Sequence, residues 1–214
     1  YNSQVNNSVK DIDFKRVKID GESYFKISNS DQMRPFFMSI VSDSNHWMFI
    51  SSNGGLSAGR KNSEYSLFPY YTDDKITESV ETTGSKSIFW INNEKLWEPF
   101  SIRQQGQYQI SRHLYKNIYG NKIIFEEVNH DLKLTFRYAY NSSNTYGFVK
   151  KSTLINHGES KVEVNILDGL QNILPYGVPT DTQSAVSNLV DAYKRNQLEK
   201  DYGLGIYALS AIIV

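Results

Sequence analysis

"LKLTFRYAY", residues 132–140, decides the fold class. Leu132, Leu134, Phe136, Tyr138 and Tyr140 occupy alternate positions, with Lys133, Thr135, Arg137 and Ala139 between them. A period of two places these sets on opposite faces of a strand, whereas a helix would scatter them. One face is therefore expected to be apolar and aromatic, the other largely polar. The pattern spreads in both directions. Upstream, "QYQISRHLY" and "NKIIFEEV" flank Tyr119-Gly120-Asn121; downstream, "YGFVKKSTLIN" and "SKVEVNILD" read as a hairpin across His157-Gly158-Glu159. Nearer the start, "FKRVKI" and "SYFKIS" flank Asp20-Gly21, a tight-turn pair. "PFFMSIVS" and "HWMFISS" are separated by "DSN", "SNGG" turns into "LSAGR", and "SIFWI" turns at Asn92-Asn93 into "KLWEPF". So many short strands predict a mainly β protein, an antiparallel sandwich or barrel forming a single domain over residues 1–214.

One helix interrupts this. "TDTQSAVSNLVDAYKRNQLEK" follows Pro179, with Thr180 or Asp181 as candidate N-cap. Val186, Leu189, Val190, Tyr193 and Leu198 fall near a 3.6-residue period, predicting a helical segment over about 180–200. "DYGLG" then breaks it before "GLGIYALSAIIV", an apolar β-type segment. That last segment is expected either to be a central strand or to lead on into a longer protein.

Composition narrows the partners. Lys and Arg total 23 against 23 Asp and Glu, and basic pairs such as Lys15-Arg16 and Lys194-Arg195 are scattered. Nucleic acid is thus not expected, because phosphate binding needs a basic excess or stripe. No run approaches the roughly 20 apolar residues of a membrane span, so no membrane partner is expected; the compartment stays open, with the cytoplasm favoured. With no cysteine, disulfides and thiolate metal sites are ruled out. His46, His113, His130 and His157 lack metal-ligand spacing, so no metal and no cofactor are expected.

The candidate chemistry is limited. Residues 61–86, "KNSEYSLFPYYTDDKITESVETTGSK", form a long irregular excursion, and such loops are often functional. Within it Tyr70 and Tyr71 precede Asp73 and Asp74. Rings beside acids suit a sugar, whose apolar face stacks while its hydroxyls donate to carboxylates. The competing reading is an exposed turn at 72–75. Glu126 and Glu127 are neighbours on one strand and face opposite ways, so they cannot work as a catalytic pair. In "DGLQNILPYGVP" Asp168 is expected to end a strand, with Gln171 and Asn172 satisfying backbone groups at a buried turn; a contact to sugar is the alternative. Trp47, Trp90 and Trp97 are expected in the core.

Two stretches also carry a resemblance. "HWMFISSNGGLSAGRKNSEYSLFPYYTDDKI" and "YGFVKKSTLINHGESKVEVNILDGLQNILPYGV" resemble the N-terminal region of large bacterial glycoside-hydrolase-like proteins related to cellobiose and other sugar phosphorylases. The resemblance spans roughly residues 36 to 180. It implies a galactose mutarotase-like β-supersandwich that packs on a catalytic helical barrel of the same chain. It further implies that catalysis lies in that barrel, that the sandwich lends a loop to the sugar site, and that a homodimer is possible. The chain is then a non-catalytic domain of a carbohydrate-active enzyme, meeting the parent enzyme's oligosaccharide or sugar substrate. A stand-alone carbohydrate-binding module and a mutarotase-like epimerase are the alternatives.

Overall fold

The alternation at 132–140 sits at the centre of the protein. The structure is a computed structural model that describes residues 10–69 and 72–210. Its strands are β1 (Asp13–Ile19), β2 (Glu22–Ser28), β3 (Phe37–Ile40), β4 (His46–Ser51), β5 (Leu56–Arg60), β6 (Gly84–Ile91) and β7 (Lys95–Trp97). There follow β8 (Ile110–Asn117), β9 (Lys122–Asn129), β10 (Leu134–Ser143), β11 (Gly147–Asn156), β12 (Val164–Gln171), β13 (Lys194–Glu199) and β14 (Leu204–Leu209). Three short helices are present among the described residues: α1 (Asp73–Glu78), α2 (Thr180–Ala185) and α3 (Ser187–Tyr193). The protein is mainly β.

One layer is a six-stranded antiparallel sheet in the order β1-β2-β8-β9-β10-β11. Against its inner face lie two three-stranded sheets, β3-β4-β5 and β12-β6-β7. Met48, Leu56 and Phe89 from the smaller sheets meet Leu114, Phe125 and Phe136 from the larger one in a single core. Leu134, Phe136, Tyr138 and Tyr140 of β10 are all buried there, as their alternation requires. Rings pack edge to face between layers, with Phe89 and Phe136 at 5.0 Å, and stack within a layer, with Phe125 and Tyr138 at 4.8 Å. Such pairs add about 0.5–1.5 kcal/mol each beyond the area they bury. Burial drives the Tyr138 hydroxyl well above its ordinary pKa, so it stays neutral in the core.

The hairpins at Asp20-Gly21 and Asn92-Asn93 form as the residue types demand. All four residues take positive φ, between 49° and 81°. The two-residue loop between β1 and β2 and the three-residue loop from Asn92 to Glu94 between β6 and β7 both use that conformation, which Asp, Asn and Gly tolerate best.

The expected hairpin across His157-Gly158-Glu159 does not form. β11 pairs with β10 along Leu134↔Asn156 to Ser143↔Gly147, whereas β12 pairs with β6 along Val164↔Ile91 to Gln171↔Gly84. Residues 157–163 therefore cross from one layer to the other. Alternating strands next to a turn look the same whether they pair or part; which occurs depends on which distant strand has a face to cover. Two tryptophans also depart from expectation. Trp97 is buried, but Trp90 is 39% exposed, because Phe89 and Ile91 on either side point inward; Trp47 is half-buried.

The predicted 180–200 helix is broken and shorter. Val186 leaves helical geometry at φ −138°, ψ 44°, separating α2 from α3, and Lys194 turns extended. Val190 on α3 is fully buried, which explains the apolar period up to Tyr193. Leu198 does not continue that face: it lies in β13 and is 63% exposed. Pairing from Lys194↔Leu209 to Glu199↔Leu204 satisfies the backbone in place of helical bonds. "DYGLG" supplies the hairpin turn, with Gly203 at φ 60°. β14 is accordingly not a central strand; it pairs with β13, and Leu204 and Ile206 are exposed. Residues 211–214 and 1–9 lie outside the described residues.

Candidate binding cleft

Buried carboxylates come first, because catalysis would need one with a free oxygen. Adjacent in β9, Glu126 and Glu127 do face opposite sides of the sheet. Glu127 points into the core, where it accepts hydrogen bonds from Trp97 Nε1 at 2.9 Å, the Phe100 backbone N–H at 2.7 Å and Arg112 Nε at 2.8 Å. Glu126 points outward under a smaller cluster around Tyr24, Tyr115 and Ile124, accepting from Tyr115 Oη at 2.6 Å and from Arg137 Nε. Each acid sits opposite its arginine: Arg112↔Glu127 and Arg137↔Glu126 are cross-strand pairs. A buried charge survives only when paired and hydrogen-bonded in this way.

Asp168 does not end its strand. It lies mid-way along β12, opposite Ser87, and accepts from Ser87 Oγ and Lys150 Nζ, both at 2.5 Å. Burial pushes its carboxyl upward, but the bonds from Lys150, Ser87 and Ser152 outweigh this and hold it below the usual range. Lys150 comes from β11 and its ammonium also sits 6.0 Å over the Tyr138 ring. The ion pair thus closes the side of the sandwich where the edges of β11 and β12 meet, and inward charges on edge strands discourage pairing with other chains. Gln171 and Asn172 hold the chain beyond: Gln171 Nε2 donates to Glu81 O at 3.0 Å, and Asn172 Nδ2 to the buried Thr83 Oγ1 at 2.9 Å. Asn172 takes φ 61° and is exposed, so the turn is tethered to buried groups without being buried itself.

The histidines are dispersed among hydroxyl and amide partners: Ser44 for His46, the Asn29 N–H for His113, Ser111 for His130 and Thr135 for His157. Among the described residues no cluster of three or more His, Asp or Glu is placed to hold a metal. Nor is any described helix long and apolar enough to cross a membrane.

Polar groups left open to a ligand gather elsewhere, in a cleft of about 320 Å³. Its first wall is the start of the long excursion, from Arg60 to Leu67; its second is the segment after β12, from Leu174 to Val178. Leu174 N–H donates to Leu67 O at 2.8 Å. At the other end Thr180 Oγ1 donates to Ser63 O at 2.6 Å, and Thr180 N–H to Glu64 Oε2 at 3.3 Å. The walls are therefore tied together at both ends. Leu174 and Val178 are buried at the base, while Tyr65 and Tyr176 are 43% and 92% exposed. Lys61 Nζ lies 5.1 Å from the Tyr65 ring.

Close backbone packing sets the first wall. A Cβ on Gly59 would come within 2.6 Å of both the Trp47 ring and Tyr65 O, so only glycine lets this wall lie on β4 and β5. Leu67 N–H bonds to Ala58 O at 2.7 Å, and Asn62 O accepts from Trp47 Nε1 at 3.2 Å. Further along, the excursion is not wholly irregular. Residues 73–78 form α1, so the expected turn at 72–75 is a helix start, with Ile76 N–H bonded to Thr72 O at 2.9 Å. Ile76 is buried. A Cβ on Gly55 would meet Ile76 O at 2.0 Å, a measure of how tightly α1 seats on β5.

No protein-family model matches this chain, and no curated protein matches it.

Of the residues singled out from sequence, Tyr70 and Tyr71 lie outside the described residues, as do the side chains of Asp73 and Asp74, whose backbone opens α1. The cleft residues Arg60, Lys61, Tyr65 and Tyr176 went unmarked. Tyr176 had a signal: between Pro175 and Gly177 a turn is expected, and a ring on a turn is exposed. Tyr65 had none, since an aromatic residue before a proline-containing run reads equally well as core. A second cavity of about 140 Å³ lies beside Phe100, Arg112 and His113. Its arginine is already bound to Glu127 and to Ser101 O, leaving less to offer a ligand.

Proposed function

We propose that this chain is a non-catalytic β-sandwich domain of a carbohydrate-active enzyme, of glycoside hydrolase or sugar phosphorylase type, and that it presents a saccharide-binding cleft. One observation carries the reading: the two stretches that resemble such enzymes, separated by seventy positions between Ile76 and Tyr146, supply the facing walls of one cleft. The cleft has the makings of a sugar platform. Exposed rings can stack on the apolar face of a pyranose, and its volume falls at the low end of small-molecule sites, about 300–1,000 Å³.

Catalysis within this domain is not favoured by its acids. Glu126, Glu127 and Asp168 each accept hydrogen bonds from two or more donors within the protein, which leaves little of these carboxylates open to a substrate. The parent enzyme's chemistry is accordingly assigned to a helical barrel packed against this domain. The exposed rings equally favour a stand-alone binding module, which differs only in lacking that barrel.

The test is an amide-shift titration of the ¹⁵N-labelled chain with a panel of oligosaccharides, run beside assays for anomer exchange and glycoside cleavage. Saturable shifts confined to residues 60–67 and 174–178, without turnover, are expected. Turnover by the chain alone, or no binding across the panel, overturns the proposal.

A further inference from the structure

We infer that the cleft between residues 60–67 and 174–178 selects an anionic sugar, one bearing a carboxylate or a phosphate, over a neutral one. This rests on the saccharide reading of the same cleft and adds the charge of the ligand.

Positive charge is left over on the rim of this cleft. Arg60 and Lys61 are consecutive, exposed, and on the cleft's rim. Among the described residues neither forms an ion pair; the Lys61 ammonium lies beside the Tyr65 ring. The acid in the same lining, Glu64, is turned to the other wall, where it takes the Thr180 N–H. Two cations beside rings in the core are neutralised, Arg112 over Phe100 by Glu127 and Lys150 over Tyr138 by Asp168. Arg16 over Phe25 and Lys26 over Tyr115, on the outer face of the large sheet, form no ion pair among the described residues, as at the rim. The chain as a whole carries no net charge, so a local excess of two cations over one engaged acid is a property of this rim.

Geometry then defines the order of groups in the ligand. Leu174 and Val178 form an apolar base, Tyr65 and Tyr176 offer ring faces or edges, Lys61 stands beside Tyr65, and Arg60 lines the same cleft. A pyranose on the tyrosines would turn a charged substituent toward Arg60 and Lys61. Guanidinium pairs with carboxylate or phosphate by two parallel bonds, and ammonium as a point charge. A hydroxyl gains neither.

The experiment titrates the labelled chain separately with glucuronic acid, glucose 6-phosphate, glucose and inorganic phosphate, at low and at physiological salt. At least one charged sugar should bind tenfold or more tightly than glucose at low salt, and this preference should shrink as salt rises. An Arg60→Gln/Lys61→Gln double variant should bind charged and neutral sugars alike; as both residues are exposed, its melting temperature should match that of the parent. Glucuronic acid alone showing the preference assigns a carboxylate, and glucose 6-phosphate alone assigns a phosphate. Glucose binding as tightly as both charged sugars overturns the inference and leaves the saccharide cleft standing. Phosphate binding as tightly as glucose 6-phosphate, or no shift by any probe at residues 60–67 and 174–178, removes the saccharide cleft itself.

Discussion

Glu127 and Arg60 are charged residues on strands of the same sandwich, and their surroundings differ completely. Glu127 lies between the layers with its two oxygens taken by an indole, a backbone amide and a guanidinium. Arg60 stands at the end of β5, exposed on the rim of a cleft whose acid, Glu64, is engaged by the Thr180 N–H. Glu126 and Glu127 in β9 are each matched by an arginine that makes burial tolerable; at the cleft, charge and rings are left facing solvent by walls that are themselves tightly tied. The first region should respond to mutation in stability and the second in binding.

The largest effect is expected where that contrast is most exposed to failure. Glu127→Ala leaves Arg112 without its partner between the layers and should destabilise the protein by about 3–5 kcal/mol in chemical denaturation. A loss under about 1 kcal/mol would mean that the core around β9 does not depend on the pair. Next comes Asn172→Ala, at the start of the second cleft wall. Alanine at φ 61° and the lost bond to Thr83 together should cost about 2 kcal/mol, with little change in ligand affinity once folded. Unchanged melting with lost binding would instead make Asn172 part of the cleft.

A third probe uses pH. Burial, reinforced by the Lys26 and Lys10 charges, pulls His113 from its ordinary 6.5 down to about 4 against the opposite pull of Glu126 and Asp31. The folded ring resists the proton that the unfolded ring accepts, so stability should fall as pH drops from about 6.5 toward 4. Asp168 extends the decline. Its folded pKa is depressed, so its contribution is complete above the unfolded value near 4 and is lost as pH falls through the folded one. Melting temperatures of the parent and of His113→Gln, measured across pH 4–7, should diverge below pH 6.5. Parallel curves would show that His113 is not the group responsible. The smallest effect on stability belongs to Tyr176→Ala, within about 0.5 kcal/mol as for other exposed positions. The same change should abolish saturable saccharide shifts in the cleft, and retained binding would move the platform away from this ring.

The residue pattern carried the strands further than it carried their partners. β10 was legible because four of its apolar residues are buried by a strict alternation, and the Asp20-Gly21 and Asn92-Asn93 turns because few residue types accept positive φ. The opposed faces of Glu126 and Glu127 follow from the same period, but their saturation by Arg137 and Arg112 does not, since those arginines arrive on neighbouring strands. The helix beyond Tyr193 was misread for a related reason. Lys194 to Glu199 suits a helix by composition, yet the pairing with β14 satisfies its backbone instead.

The candidate site divides along the same line. Its marked aromatic residues, Tyr70 and Tyr71, stand in the excursion, and the cleft's own rings, Tyr65 and Tyr176, are 111 positions apart in the chain. The sequence by itself determined a mainly β protein, its strand faces, its tight turns and a neutral overall charge, because each depends on neighbours within a few residues. Only the tertiary structure decided that β11 and β12 part between layers, that the buried acids are saturated, and that two distant segments share a cleft. Those outcomes depend on which faces are left to be covered after local structure has formed, and no local pattern encodes that.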